Sequence, residues 1–292
     1  MRLEKKSPCK VNLLLNILGR RADGFHELET LLHPVNVCDH LTFARAGQGV
    51  ELSCSDVNLP TDSQNLVHRA ATAFLSAANI SEGVRIHLEK KIPLAAGLGG
   101  GSGNAATTLL ALNELFHQPL ALTKLSELAA SLGSDVPFFL QNQPALATGR
   151  GEKIQTLDFF PAFRGKAFLL IHPGFGVSTV WAYQALARFP AALNGQPDRA
   201  QELISNLQTD HWPAVADGFY NSLEAPVLEK YPVLALFRKF LRANGALAAL
   251  MSGSGSTTFA VVEDVSAAGA LAEKFKARFG QTCWTAVVPV TG

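Results

Sequence analysis

The sequence predicts an α+β fold in two lobes. Apolar runs with strand alternation and Ala/Leu-rich helical runs follow one another in mixed order, with neighbouring strands spaced like hairpins rather than as strict β–α pairs. The 292 residues are long for one core and comfortable for two. Composition shifts across Phe159–Gly165, which sets expected lobes at 1–158 and 159–292.

Hydrophobic residues make up 48% of the chain and charged residues 17%, enough to bury a large core and to exclude a disordered protein. The net charge of +1 supplies no general attraction to nucleic acid or to a membrane surface, so any anionic ligand must be held by a local site. No run of uncharged apolar residues is long enough to predict a membrane span. Near the N-terminus, Lys10, Asn12 and Asn16 interrupt the apolar stretch that a signal peptide would need, so none is expected. The four cysteines, Cys9, Cys38, Cys54 and Cys283, form no C-x-x-C pair or zinc spacing. They read as reduced thiols, which predicts a cytoplasmic protein.

Residues 8–18 alternate as a strand, with Val11, Leu13, Leu15 and Ile17 on one face and Lys10 and Asn12 on the other. A polar connection from Gly19 to His26 leads to strands at 28–46 and 50–54, with Gly47 and Gly49 as breakers. Asp62, Ser63 or Gln64 is placed to cap a helix running from Asn65 to about Ala78. A strand follows at 84–88, then helices at 104–116 and about 123–132, then strands at 145–148, 153–157 and 167–171. In the second lobe, helices are expected near 179–188, 198–208 and 223–243, then a strand. A Ser/Gly turn at 252–256, a strand at 257–262, a helix at 266–279 and a strand at 283–288 complete the chain.

The strongest chemical signal is the run from Pro93 through Gly97-Leu98-Gly99-Gly100-Gly101-Ser102-Gly103 into Asn104 and the helix beyond. Five glycines in the seven positions from Gly97 let the backbone approach a ligand closely. The first turn of the helix leaves amide donors unpaired at its positive end, and together these features make a phosphate site to which Ser102 adds a hydroxyl. The run is not a Walker loop, since no lysine follows it. Nor is it a dinucleotide fingerprint, since the sixth residue from Gly97 is Ser102.

The run Pro93-x-x-x-Gly97-Leu98-Gly99-Gly100-Gly101-Ser102 resembles the nucleotide loop of the GHMP kinases, the family of galacto-, homoserine, mevalonate and phosphomevalonate kinases. Other segments match in the family's order. Ser7-Pro8-Cys9-Lys10-Val11-Asn12-Leu13 is similar to its first motif, and Met251-Ser252-Gly253-Ser254-Gly255-Ser256 to its third. Arg21-Ala22-Asp23-Gly24-Phe25-His26 and Leu132-Gly133-Ser134-Asp135-Val136-Pro137-Phe138 resemble segments of the branch whose small-molecule substrate carries a cytidine diphosphate group. The chain departs from the usual pattern at Cys9, Phe25, Ala95, Ala96 and Gly103, the last standing where a second serine is usual.

The resemblance implies a two-lobed fold with the active site in the cleft between lobes. The implied reaction is ATP-dependent phosphorylation of the 2-hydroxyl of 4-diphosphocytidyl-2-C-methylerythritol, on the non-mevalonate route to isoprenoid precursors. Alternatives within reach are a kinase of the homoserine or mevalonate type and a catalytically silent nucleotide-binding module. Asp135 is implied as the group that accepts the hydroxyl proton, against a simple helix-cap role, and Lys10 as its orienting cation. ATP is expected to lie along Pro93, Leu94, Ala95, Ala96, Gly97, Leu98, Gly99, Gly100, Gly101, Ser102 and Gly103. Asn65 and Leu66 would border its adenine, and Lys90 and Lys91 are placed either to reach the nucleotide or to end a solvated strand. Asn12, Phe25, His26 and Tyr183 are expected around the substrate. Phe25 and Tyr183 would sandwich the cytosine, with Trp181 as the alternative to Tyr183. Mg²⁺ is expected with ATP, held by phosphate oxygens and water rather than by a dedicated protein site. No nucleic-acid or membrane partner is expected.

Overall fold

A computed structural model describes residues 2–209 and 211–290. The elements run β1 (Arg2–Arg20), β2 (His26–Ala46), β3 (Val50–Cys54), α1 (Leu66–Ala77), β4 (Gly83–Glu89), α2 (Gly100–Leu115), α3 (Leu122–Leu132), β5 (Ala145–Gly149) and β6 (Lys153–Thr156). They continue with β7 (Ala167–His172), α4 (Thr179–Ala185), α5 (Pro190–Leu193), α6 (Arg199–Leu207), α7 (Trp212–Gly218) and β8 (Tyr220–Asn221). The last are α8 (Glu224–Lys230), α9 (Pro232–Ala243), β9 (Ala248–Met251), β10 (Thr258–Val262), α10 (Val265–Phe279) and β11 (Trp284–Pro289).

The chain divides into two compact units, each assembled from separate stretches. The first takes the chain up to Cys9, Val37–Ile92 and Gly99–Asn142; the second takes Lys10–Asn36, Pro93–Leu98 and the chain from Gln143 on. In the first unit β4 pairs antiparallel with β2 over His40–Ala46 and parallel with β3. Helices α1, α2 and α3 bury Phe74, Leu109, Leu112, Leu125 and Ala129.

In the second unit β5 lies antiparallel on Leu28–Leu32 of β2 and pairs with β6, while β8 runs parallel to β1 at Leu14 and Leu15. Four antiparallel strands form another sheet in the order β11-β7-β10-β9. Leu169, Ile171, Ala260 and Val262 on one face of that sheet share a core with Leu234, Phe237, Leu271 and Phe275 of α9 and α10. The architecture is the expected α+β.

Three local expectations need correction. The first helix is capped by Asn65 itself, whose Oδ1 accepts the Val67 amide at 2.9 Å, rather than by Asp62, Ser63 or Gln64. The helix expected over 223–243 is two helices, because Pro232 excludes helical geometry at the residue before it and Tyr231 takes φ −124°, ψ 72°. Helix α2 begins at Gly100, not Asn104, so three glycines of the motif form its first turn; Gly103 N already donates to Gly99 O at 2.9 Å. Poor helix formers serve there because the packing is tight. A Cβ on Gly103 would lie 2.7 Å from Pro8 O, and one on Gly100 3.0 Å from Ile92 Cγ2.

Candidate active site

In the second unit, β1 carries Lys10 and Asn12 two residues apart, and therefore on one face. Both are buried, 3% and 4% exposed, so Lys10 is no solvated edge lysine. Its Nζ donates to Asn12 Oδ1 at 2.6 Å and to Gly97 O at 2.9 Å. Asn12 Nδ2 donates to Thr30 Oγ1 at 2.8 Å, and that hydroxyl donates onward to Leu14 O at 2.6 Å. The ammonium is thus held by oriented acceptors, as a buried cation requires.

The Ser/Gly turn after β9 closes onto the same atoms. Ser252 Oγ donates to Gly97 O at 3.0 Å and accepts from Asn12 N at 3.3 Å. The loop is pinned on either side by Lys10 N to Leu98 O at 2.9 Å and Thr257 N to Ala96 O at 3.1 Å. Gly97 has φ +77°, and a Cβ there would fall 2.1 Å from Ser252 O. Gly253, with φ +57°, leaves 3.3 Å between its would-be Cβ and Lys10 Nζ. Three motifs far apart in sequence meet here with no room for a side chain between them.

The turn before β2 presents rings. Arg21 pairs with Asp23 and Glu27, its amide donates to Phe25 O at 2.8 Å, and Phe25 N donates to Asp23 Oδ1 at 3.1 Å. Gly24 supplies φ +86° to turn the chain. Phe25 is left 55% exposed, with the Arg150 guanidinium 4.8 Å from its ring centre. His26 lies against Tyr183, ring centres 5.2 Å apart and tilted by 40°. Partial burial, then the nearby Arg20 charge, push the His26 pKa down, which favours a neutral ring. Trp181 is engaged elsewhere, with Lys230 Nζ 3.9 Å from its ring and Tyr231 at its edge.

In the first unit, Gly99 caps α2 with φ +69°, and Gly100, Gly101 and Ser102 open the helix with amides that have no helical acceptor. Leu66 borders this turn, 3.7 Å from where a Cβ on Gly101 would sit. Asn65 spends its side chain on Val67 N and Pro60 O. A side chain at Gly103 would point toward Pro8 and Ser7, with its Cβ 2.7 Å from Pro8 O, so a serine there would not fit without a shift of the backbone. Lys90 is neither solvated nor extended into solvent: its side chain is 7% exposed and ion-paired with the fully buried Asp39, while Lys91 is half-exposed beside Glu89. Asp135 stands in the turn between α3 and the 3-10 helix Pro137–Leu140. The cap position of that helix is Val136, and no side chain caps it there.

A family model described as GHMP kinases N terminal domain matches residues 65–143, and one described as GHMP kinases C terminal matches residues 190–281. A 4-diphosphocytidyl-2-C-methyl-D-erythritol kinase of Syntrophotalea carbinolica (strain DSM 2380 / NBRC 103641 / GraBd1) is 39% identical, covering 97% of this chain and 98% of its own. The chain belongs to the GHMP kinase family. A same-named kinase of Pelotomaculum thermopropionicum (strain DSM 13744 / JCM 10971 / SI) is 40% identical over 92% of both chains. The crystal structure of a 4-(cytidine 5'-diphospho)-2C-methyl-D-erythritol kinase superposes with a TM-score of 0.80 at 35% identity, covering 99% of this chain and all of the other. The homoserine kinase of Cytophaga hutchinsonii ATCC 33406, at 20% identity and TM-score 0.74, covers 99% of this chain and 94% of its own, and shares the fold.

As a GHMP kinase the chain is an ATP-dependent phosphotransferase acting on an alcohol. Sequence reading passed over several supports of this kinase's motifs. Thr30 orients Asn12. Asn221 Nδ2 donates to Met251 O and Gly253 O, each at 2.8 Å, and so shapes the third motif. Glu224 Oε1 accepts Met251 N at 3.0 Å while Arg238 pairs with its other oxygen. Burial pushes the Glu224 pKa up, against the Arg238 charge and the Met251 amide, which act to lower it. The one available signal was the polar run Tyr220-Asn221-Ser222-Leu223-Glu224, set among apolar segments. Among the described residues no helix is long and apolar enough to cross a membrane.

Proposed function

We propose that this kinase transfers the γ-phosphoryl group of ATP to the 2-hydroxyl of 4-diphosphocytidyl-2-C-methyl-D-erythritol, as a step toward isoprenoid precursors. The observation that carries the choice of substrate is the Arg21–His26 turn, which is built to present one exposed ring and seats a second beside Tyr183. A base can stack on such rings, with about 1–3 kcal/mol per stack. Homoserine and mevalonate have no base to place there. The names of relatives that match nearly the whole chain agree with this reading. Tyr183, beside His26, is favoured over Trp181 as the partner of Phe25.

The γ-phosphate is held by the glycine loop and the free amides of α2, with Ser102 as a hydroxyl donor. The acceptor oxygen forms its bond to the γ-phosphorus as the bond to the bridging oxygen of ADP breaks. Asp135 takes the hydroxyl proton, and Lys10 stabilises the negative charge of the transferring group. Asn12 fixes the Lys10 ammonium in place. Mg²⁺ would accompany the nucleotide, held by phosphate oxygens and water. Among the described residues no group of three or more His, Cys, Asp or Glu is gathered to hold a metal. When bound, the ion neutralises phosphate charge. The four free thiols fit a cytoplasmic location.

The test is ATP consumption with 4-diphosphocytidyl-2-C-methyl-D-erythritol, homoserine, mevalonate and galactose in parallel. Turnover on the cytidine compound alone is expected. Turnover on another acceptor would overturn the substrate, and full turnover by Asp135→Ala would overturn the role of that carboxylate.

A further inference from the structure

Asp39 lies on β2, outside every motif discussed so far, and its side chain is fully buried. One of its oxygens, Oδ1, accepts two consecutive amides, Lys91 N at 2.7 Å and Ile92 N at 2.9 Å. The other, Oδ2, accepts Asn104 Nδ2 at 2.9 Å and the Lys90 ammonium. Asn104 Nδ2 also donates to Ser7 Oγ at 2.9 Å, and Lys90 Nζ to Asn104 Oδ1 at 3.3 Å. Both Asp39 oxygens thereby accept two donors each.

The sequence positions of those donors are what give the cluster meaning. Ile92 is the last residue before Pro93, where the glycine-rich run begins, and Asn104 is the first residue after Gly103, where it ends. A single carboxylate therefore takes hydrogen bonds from both ends of the loop. The fit continues beneath the helix start: Ile92 Cγ2 and Lys90 Nζ lie 3.0 and 3.4 Å from where a Cβ on Gly100 would sit. A carboxylate suits the position because four donors converge on two oxygens; a carboxamide would turn an NH2 group toward one of the donor pairs.

We infer that Asp39 is a positioning residue for the nucleotide: it clamps the two ends of the glycine-rich run so that the amides opening α2 keep the spacing a triphosphate needs. Asp39 acts through the loop and does not itself touch ATP. The inference rests on the reading of that run as the ATP site.

Asp39→Asn and Asn104→Ala are compared with the wild type for steady-state kinetics and for hydrogen exchange of the peptide covering 93–103. Asp39→Asn should raise the KM for ATP about tenfold, with kcat changed less and the KM for the cytidine substrate unchanged. Asn104→Ala, which removes the Asn104 bonds to Asp39, Ser7 and Lys90 but leaves the Asp39–Lys90 pair and the two amide bonds intact, should raise it less. In the double variant the two effects should fall short of adding. Exchange over 93–103 should quicken in both variants. If Asp39→Asn does not fold, Asn104→Ala decides by the same readouts. An unchanged ATP KM in the folded variants would overturn the clamp alone. Failure of the wild type to bind ATP would overturn the clamp and the nucleotide reading together.

Discussion

Lys10 and Phe25 belong to the same unit and sit in opposite surroundings. Lys10 is 3% exposed, hydrogen-bonded to Asn12 and to Gly97, with glycines on the third motif leaving space for nothing larger. Phe25 is 55% exposed at the tip of a turn whose hydrogen bonds are all local. Burial over-determines one position and leaves the other free to meet a ligand. Substitutions around Lys10 should therefore disturb fold and chemistry together, and substitutions at Phe25 should touch recognition alone.

The largest effect is expected at Gly97. Gly97→Ala must hold φ +77° and place a methyl group 2.1 Å from Ser252 O. Strain and a displaced third motif should abolish turnover and cost on the order of 2 kcal/mol or more of stability. A thermal melt beside an ATPase assay reads both. An active, equally stable variant would mean the motifs do not need this contact.

Lys10→Met comes next, keeping the length of the side chain and removing its charge. Loss of about 10²–10³ in kcat is expected, with a smaller change in the KM for ATP. Gly97 O keeps its bond from Ser252 Oγ, so the loop should hold its shape. A kcat within threefold of wild type would show that the ammonium is structural (about that margin separates the two readings).

How much of this was legible in the sequence follows the same division. The Phe25 turn could be read because Arg21, Asp23, Gly24, Phe25 and His26 are contiguous and their hydrogen bonds close within the turn. The first and third motifs could be found singly. That Ser252 links Gly97 to Asn12 could not be read from any one stretch, because Ser252 lies 155 residues from the one and 240 from the other. Asp39 was missed for a related reason: on a strand that also carries Glu29, His33, Asn36 and His40, an aspartate bears no local mark of the Lys90 and Asn104 it meets. For Lys90 the solvated alternative falls with it, since a lysine at a strand end looks solvated until its partner is known. The start of α2 was set too late because glycines argue against helix, and only the packing against Pro8 and Ile92 explains them there.

Phe25→Ala sharpens the exposed side of the comparison. A rise of about tenfold in the KM for the cytidine substrate is expected, with the KM for ATP and the melting temperature unchanged. Tyr183→Ala should act likewise, and Trp181→Ala should act less, since Trp181 packs against Lys230 and Tyr231. Equal effects at 181 and 183 would blur the choice between them.

The smallest effect is one of pH, and it repeats the comparison with two histidines. His33 is fully buried among Phe159, Phe163 and Phe168, and burial lowers its pKa from 6.5 to about 4, against the Pro34 carbonyl, which raises it. His26 is half-buried, and its pKa is lowered from the same value by burial and by Arg20. In both cases the unfolded chain binds the proton more readily. The stability each contributes is present above pH 6.5 and is lost as pH falls toward the folded value. For His33 the loss should reach about 2 kcal/mol by pH 5. Solvent around His26 screens the same effect, so its share should be much smaller. Urea unfolding at pH 8 and pH 5 measures the sum. A His33→Leu variant should remove most of the difference between the two pH values and His26→Gln little of it. The reverse result would mean that the exposed turn, and not the aromatic core, governs how this kinase answers acid.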